Sequence, residues 1–279
     1  MEKAKAEGRK PPGRQIPRPF SERTKTGFIG LQNYGNEVEF RNISIKPLDA
    51  GGAPAEQPTT GAVDDAFVRE VAALPPEDQV KRVVAELQKL NPRFDGAEKH
   101  KIEANDVVEL EFSALNVTDI SPVRALKKLR RFVCLASANG KQRSKLSDLR
   151  PLQGLSLKEL RVPSCDVSDL FPVRGMPLGH VGISYTLVSD LSPLKGAPLG
   201  TVNCVGTPIS DLSPLAGSPL TFLTCSQTQV RDLSPLRSTR LRTLQCDEDV
   251  AKTPANREVL RSIQTLEKIN NHPVEEFWK

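Results

Sequence analysis

The chain has 279 residues, a formal net charge of +5 and only 5% aromatic residues. That length allows one large or two modest domains. The scarcity of rings, with a single tryptophan, argues against a conventional globular core and suits thin stacked layers filled by Leu, Val and Ile. No apolar run approaches the ~18 residues needed to cross a bilayer, so no membrane segment is expected.

The charge is concentrated at the start. Residues 1–47 hold ten Lys or Arg against five Glu, so the whole excess lies there and the rest of the chain balances. Residues 1–16 read as a basic, disordered tail. No apolar core follows those charges, as a secretion signal would need, and no aromatic interleaves them before Phe20, as single-strand binding would need. The expectation is a cytoplasmic chain with no nucleic-acid partner. Within residues 17–47, "GFIGLQ" and "EVEFRNISIKPL" read as two strands joined by "NYGNE". Inward parity switches from Val38 and Phe40 to Ile43 and Ile45, which predicts a bulge near Arg41. This wording resembles the C-terminal end of the bacterial 3-keto-disaccharide hydrolase-type domain, a laminin-G/concanavalin-like jelly roll. The resemblance implies a β-hairpin remnant of such a sandwich. It carries over no active site, since the rest of the domain is missing here. Residues 48–63, small and rich in Pro and Gly, read as a linker.

Residues 64–106 are expected to form a helical cap. "DDAFVREVAAL" sets Phe67, Val71 and Leu74 on one stripe. Val80, Val83, Val84 and Leu87 follow at i, i+3, i+4, i+7 and stop before Pro92.

Residues 107–250 repeat one phrase. Asp148, Asp169, Asp190, Asp211 and Asp232 each open "Asp-Leu-x-Pro-Leu" or a close variant at 21-residue intervals, and a looser copy opens at Asp119. Seven apolar positions recur with it, as in Leu199, Val202, Cys204, Thr207, Ile209, Leu212 and Leu215. The opening copy is read at Val107, Leu110, Phe112, Leu115, Val117, Ile120 and Val123. The second carries a seven-residue insertion between Cys134 and Leu146, and Leu241, Leu244 and Cys246 make a final half-copy. The pattern resembles the leucine-rich repeat in its short, internalin-like bacterial form. It departs from that form where the usual Asn is Thr186, Thr207, Thr228 or Cys165. The resemblance implies an α/β solenoid: a right-handed coil with a parallel β-sheet on its concave face and a 3₁₀ or extended convex side. Coils stack about 4.8 Å apart and share one core. Cys134, Cys204, Cys225 and Cys246 fall in core slots, where a free thiol acts as a small hydrophobe. Three stacked sulfurs lack the fourth ligand of a structural zinc, so no metal is expected. The Asp column is expected to cap turns rather than hold calcium.

In this fold the residues between the core leucines face the concave side. Arg131, Arg161, His180, Asn203, Phe222, Thr224 and Gln245 are the candidate partner-binding residues, with Phe222 the best single anchor. Val133 and Glu111 are expected on the same face. His180 stands without a nucleophile or carboxylate at a recognisable spacing, so no catalytic residue and no cofactor are expected.

Residues 251–279 read as a second helical cap. Thr253-Pro254 starts a helix carrying Val259, Ile263 and Leu266 and ending near "NNHP", and Phe277 and Trp278 dock on the last coil. The reading is a monomeric, non-catalytic module that binds an unknown protein partner. The alternatives are a solvated spacer, a fragment of a carbohydrate-acting enzyme, or the C-terminal part of a Ser/Thr protein kinase. None of the kinase motifs is present.

Overall fold

The computed structural model describes residues 63–136 and 142–279. The expected basic tail, the two strands of residues 17–47 and the linker as far as residue 62 lie outside the described residues. So does the centre of the insertion, residues 137–141.

Among the described residues two helices come first. In α1 (Asp65–Ala72) the Asp64 carboxylate accepts from Phe67 N at 2.8 Å, closing one of the open donors of the first turn. α2 (Pro76–Leu90) begins on a proline, whose missing N–H is no loss there. Phe67, Val71, Val80, Val83 and Leu87 are buried as the spacing predicts, while Leu74 and Val84, expected on the same stripes, are half-buried.

Among the described residues ten strands follow in sequence order across one sheet: β1 (Glu98–Glu103), β2 (Asp106–Ser113), β3 (Arg131–Leu135), β4 (Glu159–Arg161), β5 (His180–Gly182), β6 (Thr201–Asn203), β7 (Phe222–Thr224), β8 (Thr243–Gln245), β9 (Lys268–Ile269) and β10 (His272–Pro273). The pairs from β2 to β9 are parallel, and only the end pairs β1/β2 and β9/β10 are antiparallel. The fold is a leucine-rich-repeat solenoid. One carbonyl at each coil entrance holds the next coil in register by accepting two successive N–H groups. Arg130 O takes Lys158 and Glu159, Lys158 O takes Gly179 and His180, and Gly179 O takes Gly200 and Thr201.

Three columns shape each coil. The first is the aspartate, and all six act alike: Oδ1 of Asp119, Asp148, Asp169, Asp190, Asp211 and Asp232 accepts from the backbone N–H two residues on at 2.7–2.9 Å. In three copies Oδ2 also takes the serine hydroxyl at 2.7 Å. Bonds from the Ser234 backbone and hydroxyl hold the Asp232 carboxyl below its ordinary value. The second column is the hydroxyl at the bend leaving the strand. Thr186, Thr207 and Thr228 donate to the carbonyl three residues earlier, at 2.7, 2.6 and 2.7 Å. Ser144 fills this slot after the insertion. It is fully buried, bonds Val117 O at 3.0 Å and bridges to Cys165. Leu115 does not fill it, because in the first coil Ala114 turns inward and Leu115 lies 38% exposed.

The third column ends the convex turn. Gly154, Gly175, Gly196 and Gly217 have φ between +73° and +82°, which stops the 3₁₀ segment after three residues, as in Ser192–Leu194. Where the slot holds Ala125 or Ser238, the 3₁₀ segment runs five residues, Ser121–Ala125 and Ser234–Ser238.

All five cysteines are free and buried. Burial pushes the thiols of Cys165, Cys204 and Cys246 up to about 12 and raises those of Cys134 and Cys225 well above the ordinary value.

The C-terminal end differs from the sequence expectation. α3 (Glu248–Ala251) precedes α4 (Pro254–Ser262), which stops at Ile263 instead of running to "NNHP". Leu266 and Ile269 then repeat the Leu241–Leu244 step as a further half-coil. The cause is that Ile269 pairs with Leu244 and enters the core, which a longer helix would forbid. α5 (Val274–Phe277) closes the end, with the Phe277 and Trp278 rings in a T at 4.9 Å and packed against the core.

Two expectations follow. Gly196→Ala should cost about 1–2 kcal/mol in urea unfolding, because an L side chain there sits in the left-handed region. Gly200→Ala, at ordinary φ with the nearest foreign atom at 3.7 Å, should be neutral or slightly stabilising. The thiols, raised in the folded state, favour folding fully below their unfolded value near ~8.5. Stability should therefore fall as pH rises from there toward about 12, and Cys204→Val should flatten that fall in denaturant titrations.

Candidate functional site

The parallel register lines up the concave side chains in two rows. One runs Lys101, Glu109, Arg131, Glu159, His180, Thr201, Phe222, Thr243, Lys268, and the other Lys99, Glu111, Val133, Arg161, Gly182, Asn203, Thr224, Gln245. All seven candidate residues therefore stand on one face, but in different states.

Arg131 is spent inside the molecule. Its guanidinium reaches Glu111 at 3.0 Å, Glu159 at 3.2 Å and Glu109 at 3.4 Å. Lys99 and Lys101 add pairs to Glu111 and Glu109 at 3.5 and 3.7 Å. Lys101 is closer still to Glu103, at 2.7 Å, and Glu103 also meets Arg130 at 3.4 Å, so the charges from β1 to Glu159 pair with one another. Burial pushes the Glu111 carboxyl up, but the Arg131 bond and the charges of Arg131 and Lys99 override it and leave it below its usual value. The signal was present in the sequence, since the repeat alignment sets Glu109, Arg131 and Glu159 side by side.

Beyond this network the second row alternates long and short side chains. Arg161 and Asn203 are exposed and Gln245 half-buried, whereas Val133, Gly182 and Thr224 are buried between them. Long neighbours lean over the short ones. A Cβ built on Gly182 would lie 3.2 Å from Arg161 Cγ. Val133, expected to face solvent, is 0% exposed, and Thr224 only 4%. The Thr224 hydroxyl is the one buried hydroxyl without a hydrogen-bond partner among the described residues.

Arg161 is exposed and has no carboxylate partner among the described residues. His180 is exposed in the neighbouring row, and Phe222 is half-buried between Thr201 and Thr243. Gln245 donates to Asn271 Oδ1 at 3.0 Å. Two open clefts lie against the caps. One of ≈ 510 Å³ is lined by Lys252, Pro254, Ala255, Arg257, Glu258 and Arg261, and the other, of ≈ 520 Å³, includes Phe67, Arg82 and Glu86. Neither cleft contains a candidate residue. Among the described residues no group of three or more His, Cys, Asp or Glu could hold a metal, and no helix is long and apolar enough to cross a membrane.

No family model and no curated protein matches the chain. Among solved structures it is similar to an internalin (inlF) of Listeria monocytogenes, at 20% identity and a TM-score of 0.50, over 71% of this chain and 58% of that one. An internalin C2 of the same organism matches at 21% identity and a TM-score of 0.41, over 64% of this chain and 91% of that one. The functional domain of InlJ, described as including a cysteine ladder, matches at 17% and 0.30, over 58% and 48%. The chain thus spans somewhat over half the length of the first internalin. At this identity the likeness shows the fold: a leucine-rich-repeat protein built on an internalin-like coil.

Proposed function

We propose that this chain is a protein-interaction module that binds its partner on the concave face, over β4–β8. The observation that carries the reading is the contrast along one sheet. Charges from β1 to Glu159 satisfy one another, while beyond them Arg161 and His180 are exposed with no ion-pair partner among the described residues, beside Phe222 and Asn203, whose Oδ1 accepts from Ser184 Oγ at 2.5 Å. A rigid hydrogen-bonded sheet loses little entropy on binding, so few contacts suffice. Phe222 supplies apolar area and Arg161 a directional charge, two properties that binding hot spots draw on. The internalin-like coil is the scaffold for such a face.

The finer reading of residues 17–47, as the end of a sugar-hydrolase sandwich, would make the chain part of a larger enzyme. It rests on the wording of those residues alone. Reading the coding sequence upstream of Met1 for in-frame missing strands tests it.

The test of the concave reading is positional. A photo-crosslinking amino acid at position 203 should capture a partner that the same group at position 213, on the convex turn, does not. Arg161→Ala with Phe222→Ala should weaken that capture at least tenfold. Arg161 is exposed and Phe222 half-buried on the concave face, outside the stacked core, so urea stability should fall by no more than about 1–2 kcal/mol. Capture from position 213 and not from position 203 would move the binding surface to the convex side.

A further inference from the structure

We infer that the concave site takes an extended acidic peptide segment, lying across β4 to β9 with one carboxylate on Arg161 and another at Lys268. This rests on the concave reading above and adds the chemistry of the partner.

The charge balance carries the argument. From β1 as far as Glu159 at the start of β4 every cation of the two rows has a carboxylate partner: Lys99, Lys101 and Arg131 are matched by Glu103, Glu109, Glu111 and Glu159. Past that point the two rows present Arg161, His180 and Lys268, and no carboxylate pairs with Arg161 or Lys268 among the described residues. Asp247, beyond the second row on the last coil, has its Oδ1 engaged by Gln227 N at 2.8 Å. A basic partner would set like charges against Arg161. A neutral one would bury a guanidinium with nothing to neutralise it, which carries a heavy desolvation penalty. A carboxylate satisfies it, in the two-pronged geometry that arginine favours.

The position of Arg161 is held without a carboxylate. Its stem lies over the bare backbone of Gly182, where any side chain would push it aside. The charge thus stays at the surface while its aliphatic part covers β5. Arg131, on the strand before, shows the opposite case: three carboxylates draw it down and leave it nothing to offer. Between Arg161 and Lys268 the face is uncharged apart from His180. Thr201, Asn203, Phe222 and Thr243 lie there, with the orphaned Thr224 hydroxyl in the floor. Five strand spacings of ~4.8 Å separate β4 from β9, or roughly 24 Å. About seven extended residues at ~3.3 Å each cover that span. The segment that fits is acidic at both ends and apolar or hydroxylated between, its middle against Phe222.

The test uses the full chain and fluorescence anisotropy at low salt. The probes are a fluorescein-labelled nonapeptide, Glu-Ser-Glu-Ser-Leu-Ser-Glu-Ser-Glu, and its Gln and Lys counterparts. The Glu peptide should bind at least tenfold more tightly than the Gln peptide, and rising salt should erase the difference. Arg161→Gln should cut that affinity about tenfold and Lys268→Gln about threefold. Thr224→Val removes no bond made within the protein, so it should fold normally and lower affinity a few-fold. Arg257→Gln with Arg261→Gln, on the C-terminal cap, should change nothing. Equal affinity for the Glu and Gln peptides, or Glu-peptide binding that survives Arg161→Gln, would overturn the inference. If that binding still depends on Phe222, the concave site stands and only the acidic partner is lost. Failure of every peptide to bind also overturns it, and crosslinking from position 203 then decides separately whether the concave site falls.

Discussion

A single winding of this repeat cannot bury its own leucines, and everything in the molecule answers to that. Each winding offers one layer of side chains whose faces are covered only by the windings above and below. Leu160, Val181, Val202, Leu223 and Leu244 form one such file, each between 0 and 2% exposed. Full burial of a leucine or valine contributes ~1.5–3 kcal/mol, so the file outweighs any single polar contact in the structure. The gain exists only if the windings stay in register, and the polar columns serve that end. The aspartate closes the convex turn, the threonine closes the bend after the strand, and the doubly accepting carbonyls fix the distance between neighbours. Cysteine suits the inner file because its size fits and its proton stays on.

This dependence explains which parts of the structure were legible in the sequence. A position that sees only its own equivalents in adjacent coils must recur, so the aspartate column, the threonine bend and the buried cysteines could be read from spacing alone. What did not recur could not. The β1–β2 hairpin turns at Ala104 and Asn105, both with positive φ but without the glycine that normally marks such a turn. The last half-coil escaped because α3 and α4 replace the short convex turn, which carries Leu266 and Ile269 out of the spacing that links Leu241 and Leu244 to the coils before them. The candidate face was legible as a list of outward positions. Its state was not, because the burial of Val133 and Thr224 depends on the reach of side chains in other windings.

Both ends of the sheet face the opposite problem to its middle. An open edge strand with free N–H and C=O groups invites another chain. At the start, β1 reads EKHKIE, with Ile102 its one apolar residue. His100 lies between Glu98 and Glu77 at 3.0 and 3.2 Å, which ties the edge strand to α2. At the other end β10 is only two residues long and includes a proline, and α5 follows directly. Stacking is thus stopped by charge at one end and by brevity at the other. The lysines that decorate β1 also supply the cations that complete the carboxylate network over β2.

That coupling gives the concave face its asymmetry. The same device that blocks the edge draws Glu109 and Glu111 into pairs with Lys101 and Lys99. Arg131 then links both glutamates to Glu159, two strands away from them. The chain of pairs ends there, because β5 places His180 and Gly182 opposite Glu159 and Arg161, and neither is a carboxylate. Arg161 is therefore the first cation past the point where internal neutralisation runs out. Two arginines on adjacent strands have become unlike groups through their neighbours alone. One is a structural tie inside the sheet, and the other, over a glycine, has no carboxylate partner among the described residues.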